Sequence, residues 1–140
     1  MSIFPTKILL ATDGSEEAEL AARTAADLAK STNSELHLIY IGHMPSIFYE
    51  SPGTMALDPD LQSRMEEEAE KAAKTNLEKQ AQKIRQVGIE VAGMHTRVGF
   101  PAAEIVGLAG RLGAGLLVYG EPRPWTVEEG FDGQRVRFGR

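Results

Sequence analysis

Cysteine is absent from the 140 residues. That excludes disulfides, thiolate catalysis and the common cysteine-based structural zinc sites. A basic excess is lacking too: 20 acidic residues against 15 basic ones leave a net charge of -5. Such a surface repels phosphate backbones, so no nucleic-acid partner is expected. No apolar stretch approaches the roughly 20 residues that a bilayer-spanning helix needs. Met1 to Thr6 has no positive region leading into a long apolar run, so neither export nor a membrane partner is expected, and the expected address is cytoplasmic. Neither a P-loop nor a G-x-S-x-G elbow appears. There is no internal repeat and no linker, and the length suits one domain able to bury its own core.

The residues present alternate between two patterns. Lys7 to Ala11 is a short apolar run that reads as a strand buried on both faces, as in a parallel sheet. Thr12-Asp13-Gly14-Ser15 breaks it, and Ser15 is a good N-cap, followed by Glu16, Glu17 and Glu19 near the positive end of a helix dipole. Ala18, Ala21, Ala22, Ala25, Leu28 and Ala29 then recur at helical spacing, a narrow face of small side chains that lets a helix lie close to a sheet. Leu36 to Ile41 is a second buried-strand run. Gly42 to Pro59, with three prolines, is a long loop of the kind often given to function.

From Asp60 to about Val87 one face carries Leu61, Met65, Ala69, Ala73, Leu77, Ala81 and Ile84, which predicts a long amphipathic helix ended by Gly88. Ile89 to Thr96 is expected as a third strand, weakened by Gly93. Pro101 suits the first position of a helix whose buried face is Ala102, Ile105, Val106, Ala109 and Leu112, closed by Gly113 or Gly115. Leu116 to Tyr119 is the fourth strand. Strands alternating with helices predict an α/β fold: an open parallel sheet with right-handed crossovers and helices on both faces.

In such a sheet, ligands bind outside the carboxyl ends of the strands, where strand order reverses. Thr12-Asp13-Gly14, Tyr40 to His43 and the stretch from Gly120 onward fall there. Asp13 has two readings of equal standing: it accepts hydrogen bonds from a ribose hydroxyl or adenine amine, or it supports its turn through backbone amides. Tyr40 could meet a purine through its main chain, but an ordinary core aromatic is the more economical reading. His37, His43 and His95 are scattered without helical ligand spacing and are read as solvent-facing or satisfied in place. Glu66 to Glu68 with Glu70 look like a solvated helix face.

Ile8-Leu9-Leu10-Ala11-Thr12-Asp13-Gly14-Ser15 resembles the opening of universal stress proteins. Val98 to Val106 resembles that family's turn into its third long helix, and Gly113 to Gly120 is similar to the strand carrying its phosphate loop. The resemblance covers residues 3 to 120 and implies a Rossmann-like fold of the adenine nucleotide alpha hydrolase type. It implies ATP or AMP as ligand, with Ala11, Thr12 and Asp13 against the nucleoside, the main chain near Tyr40 against the base, and Gly99 and Gly120 lining the pocket. Ala11 stands where members often carry valine or proline. A homodimer through the fifth strand is also a family habit.

Residues 121 to 140 depart from this pattern as a divergent tail of the same domain, so the C-terminal strand is altered. ATP-binding members follow the fourth strand with G-x2-G-x9-G-S/T, whose glycines let amides approach phosphate and whose last pair opens a helix. Gly120 and Gly133 keep the spacing, but Arg123 replaces the middle glycine and Gln134 the hydroxyl residue. Glu121, Glu128 and Glu129 add negative charge, and the family's last helix and fifth strand are missing. Back-translated with free codon choice and read in a shifted frame, Tyr119 to Phe138 spells GSRGLGRLRRALMGSVS, the family's loop at its proper spacing. Trp125-Thr126 forces one of those glycines. The hypothesis is a single-base frameshift near residue 119. Gln134 to Phe138 alternates polar and apolar and could supply a substitute edge strand, and Trp125 and Phe131 are expected to pack on the domain or a neighbour.

The expected function is a stress-response domain with an adenine-nucleotide pocket whose phosphate grip is weakened. A protein-interaction module of the same fold without nucleotide is the alternative. A nucleotide hydrolase ranks last, because Asp13-Gly14-Ser15 is too short to cradle a pyrophosphate. No catalytic and no metal-binding residue is expected.

Overall fold

The structure is a computed structural model, and it describes residues 3–12, 16–42, 59–98, 101–120 and 134–138. Along the chain these residues form β1 (Lys7–Thr12), α1 (Glu16–Thr32), β2 (Glu35–Gly42), α2 (Pro59–Gln86), β3 (Gly93–Val98), α3 (Pro101–Leu112), β4 (Leu116–Gly120) and β5 (Gln134–Phe138). The strands make one sheet of order β3-β2-β1-β4-β5, every pairing parallel.

Alternation along the strands splits the core in two. Ile8, Leu10, Leu36, Leu38, Tyr40, Leu116 and Val118 face α1 and α2. Leu9, Ala11, Ile39, Ile41, Leu117 and Tyr119 face α3. This double burial explains why the strands read as continuous apolar runs. On α1 the expected alanines Ala18, Ala21, Ala22, Ala25 and Ala29 are buried, Leu28 is partly buried, and Ala26, outside the expected stripe, is buried beside them. The helix ends at Asn33, whose φ of 58° is left-handed, and Ser34 N–H donates back to the Ala29 carbonyl. Gly113, at φ 70°, ends α3 in the same way.

Three expectations need correction. The apolar pattern puts Leu61 on the packed face of α2, yet it is 43% exposed, and the buried residues of that helix begin at Ala73. The cause is length. Twenty-eight residues of helix run about 42 Å, whereas the eight of β2 span only about 26 Å. Ala69 marks the crossing: a Cβ on Gly42, the last residue of β2, would lie 2.9 Å from the Ala69 carbonyl oxygen. Residues earlier than Ala69 therefore run past the strand tip.

The third strand starts four residues later than expected, at Gly93. Ile89 is buried all the same, and Val91 packs beside it against the α1–α2 face, so an apolar loop there has the composition of a strand. Periodicity cannot separate the two. The third correction concerns the histidines and is taken up with the site. The substitute edge strand does form: Gln134–Phe138 pairs with β4 from Leu116↔Gln134 to Gly120↔Phe138. The thirteen residues between β4 and β5 meet the minimum that a parallel crossover requires.

Candidate functional site

Sheet order locates the crevice. The chain runs outward from β1 through β2 to β3, then returns to the other side of β1 for β4 and β5, so strand order reverses between β1 and β4. Ala11 pairs with Tyr119 across that junction, and Thr12 pairs with Tyr40 on the opposite side. Each of the three helices follows a strand, so all three begin at this end of the sheet, where their N-terminal amides carry partial positive charge.

Ala11 and Thr12 are buried at the tip of β1. Tyr40 is 6% exposed and belongs to the core beneath the helices, in keeping with the core-aromatic reading, while its main chain lies in the sheet between Thr12 and Thr96. Gly120 closes β4, opposite Phe138. Thus Ala11, Thr12, Tyr40 and Gly120 gather at one end of three adjacent strands. Asp13 and Gly99 lie outside the described residues, as do His43, Arg123, Trp125, Phe131 and Gly133.

Gln134 stands at the other end. In the pattern that the resemblance implies, this position opens a helix beside the phosphates. Here it opens β5 and pairs with Leu116, the first residue of β4. Four residue steps separate Leu116 from Gly120, about 13 Å.

Sequence reasoning missed two features near the β3 edge. Arg97 Nε lies 3.8 Å from Glu104 Oε2, tying the end of β3 to the first turn of α3, and Arg97 also donates to the Thr96 carbonyl at 2.8 Å. An Arg-x6-Glu spacing spanning a strand end and a proline-started helix was the available signal. The second feature corrects the reading of the histidines: His37 is only 8% exposed, and its ring lies 6.1 Å from that of His95, centroid to centroid. Parallel register places His37 opposite Gly93 and His95 two residues on, on one face of the sheet. Burial holds the His95 imidazole below the usual histidine range, with His37, Arg97 and Arg111 pushing the same way.

A shallow cavity lies elsewhere, between α1 and α2, lined by Glu19, Ala22, Arg23, Lys83, Ile84 and Val87 among others and by no strand-tip residue. Lys83 Nζ donates to Glu19 Oε1 at 2.7 Å beside it, and that lysine holds the Glu19 carboxyl below the usual range. Among the described residues no group of three or more His, Asp or Glu side chains is placed to hold a metal ion, and no helix is long and apolar enough to cross a membrane.

A five-stranded parallel sheet, covered by helices on both faces and reversing its order between β1 and β4, defines an open, doubly wound α/β domain of Rossmann-like type. The universal stress protein family matches residues 5–133, and the chain belongs to that family. Among solved structures it is similar to universal stress protein UspA from Lactobacillus plantarum, at 19% identity and TM-score 0.70, covering 99% of this chain and 100% of that one. A universal stress protein in complex with cAMP matches at 18% identity and TM-score 0.65 over 96% of each chain. The universal stress protein from Archaeoglobus fulgidus in complex with dAMP matches at 21% identity and TM-score 0.62, covering 99% of this chain and 100% of that one. No curated protein matches.

Proposed function

We propose that this chain is a stress-response domain that binds an adenine nucleotide at the β1–β4 junction but holds its phosphates weakly. The adenosine portion rests against Ala11, Thr12 and Asp13, the main chain at Tyr40 meets the base, and Gly99 and Gly120 line the remainder. The gathering of four of these residues at adjacent strand ends supports the pocket, as do the cAMP and dAMP held by two relatives of the same fold. The position of Gln134 carries the weakened grip. It begins a strand at the far end of the sheet, so it offers no helix N-terminus beside Gly120.

Calorimetry with ATP, AMP and adenosine tests both parts. Near-equal affinities are expected for the three. Micromolar ATP binding with much weaker adenosine binding overturns the weakened grip, and failure of all three overturns the pocket. That last outcome favours the second reading, a protein-interaction module, for which Arg123 and Gln134 in the place of the phosphate-loop residues already speak. A cytoplasmic address and a homodimer belong to the proposal; fractionation of cell extract and sedimentation of the purified chain test them.

A further inference from the structure

Gln80 breaks the pattern of its own helix. It lies on the buried face of α2, three residues after Leu77 and four before Ile84, where the stripe calls for an apolar side chain. It is only 7% exposed. Among the described residues nothing bonds its amide, yet that amide is not sealed in, so the little surface it keeps opens into the α1–α2 cavity that it lines. A buried amide without a protein partner costs stability that an apolar side chain would not. A ligand that bonds the amide would offset that cost.

The cavity has room for a small molecule. Ala22 and Ala26 supply only methyl groups on the α1 side, and Gln80 and Ile84 stand on the α2 side. Two helices resting on the same face of the sheet thus leave a gap of about 190 Å³, mostly apolar in lining. An apolar cavity of about 150 Å³ is enough for benzene. Charge at the rim sets the sign of the ligand. Lys83 is already bonded to Glu19 at 2.7 Å. Arg23 is exposed beside them and among the described residues forms no ion pair. One positive charge therefore stays unmatched at the rim, on a chain whose net charge is -5.

We infer that the cavity between α1 and α2 binds a small carboxylic acid with a compact apolar body, held by Arg23 at the rim and Gln80 within. The body lies on Ala22, Ala26 and Ile84. One carboxylate oxygen meets the Arg23 guanidinium, and the other accepts from the Gln80 amide. A neutral molecule of the same shape keeps the apolar contact and loses the charged one. No strand-tip residue lines the cavity, so this ligand and a nucleotide do not compete.

The test titrates the full chain, labelled with 15N, with benzoate and with benzyl alcohol as its neutral counterpart, following backbone amides by NMR. Saturable shifts gathered at Ala22, Arg23, Ala26, Gln80 and Ile84 are expected, with benzoate bound at least about tenfold more tightly than the alcohol. Arg23→Gln should abolish that preference and leave the alcohol's affinity unchanged. Gln80→Leu should weaken benzoate by about tenfold and raise the thermal midpoint, since a residue kept for binding costs stability. Arg23 is exposed and leucine matches glutamine closely in size, so both variants keep the fold. Shifts that fail to saturate or that centre on the β1–β4 junction overturn the inference. So do equal affinities for benzoate and benzyl alcohol, or a Gln80→Leu variant that loses stability and binds benzoate as before.

Discussion

Gln134 sits opposite Leu116, at the entry of β4, although the residue at its place in a phosphate-binding loop would lie near Gly120, at the exit. On the proposed reading, a residue that would open the phosphate helix lies in a strand instead. Adding phosphates to adenosine should therefore change affinity little. A preference for ATP over adenosine of less than about tenfold, or 1.4 kcal/mol, is expected by calorimetry. A preference of several hundredfold would overturn the weakened grip.

Asp13 follows directly on the buried tip of β1. If its carboxylate receives the ribose hydroxyls, D13A should lower AMP affinity by about 1.5–3 kcal/mol, the range for hydrogen bonds to a charged group. Thermal stability should change far less. Loss of stability with unchanged affinity would return Asp13 to the role of a turn residue.

Gly42 lets α2 cross the tip of β2 at close range. Gly42→Ala would set a methyl 2.9 Å from the Ala69 carbonyl oxygen and 3.3 Å from a methyl of Val98. The first neighbour is backbone and cannot swing away. A destabilisation of about 1–3 kcal/mol is expected from denaturant unfolding, and a neutral result would mean that α2 rides free of the strand.

Burial lowers the folded pKa of His95, with His37, Arg97 and Arg111 adding to the shift and Glu35 and Glu104 nearby as counter-charges. Its unfolded value is about 6.5. A depressed folded pKa means that the unfolded chain binds the proton first, so the contribution is intact above pH 6.5 and is lost as pH falls through the folded value. The protein should lose stability on acidification below that point, and His95→Gln should flatten the slope over this range. An unchanged slope in H95Q would locate the titration elsewhere.

The frameshift hypothesis makes a prediction about DNA. Read from the bases of Tyr119 onward, the coding strand should spell the glycine-rich loop and a final hydroxyl residue in the alternate frame. An intact frame without that motif ends the hypothesis. Restoring the alternate frame should also restore phosphate grip, measured as a rise in ATP affinity over adenosine.

Much of the architecture was legible because local pattern and global burial agree here. Leu9 and Leu10 are apolar on consecutive residues, which only a strand covered on both faces tolerates, and the alanines of α1 recur at helical spacing because a close-packed helix needs them. Ile89 misled for a related reason: it is as buried as a strand residue while lying outside the ladder. Leu61 misled because an amphipathic stripe records which face would be buried, and not how far the sheet reaches beneath it.

By itself, then, the sequence determined the alternation of strands and helices, the start of α1, both ends of α3 and the absence of disulfide chemistry, since each depends on residues within a turn or two of one another. Tertiary structure alone decided that His37 meets His95 over Gly93, that Gly42 admits Ala69, and that Gln134 lands at the far end of the sheet. Those relations join residues 27 to 58 positions apart in the first two cases, and in the third they depend on where a strand docks. Parallel register is set by the packing of whole faces, which no short window of residues contains.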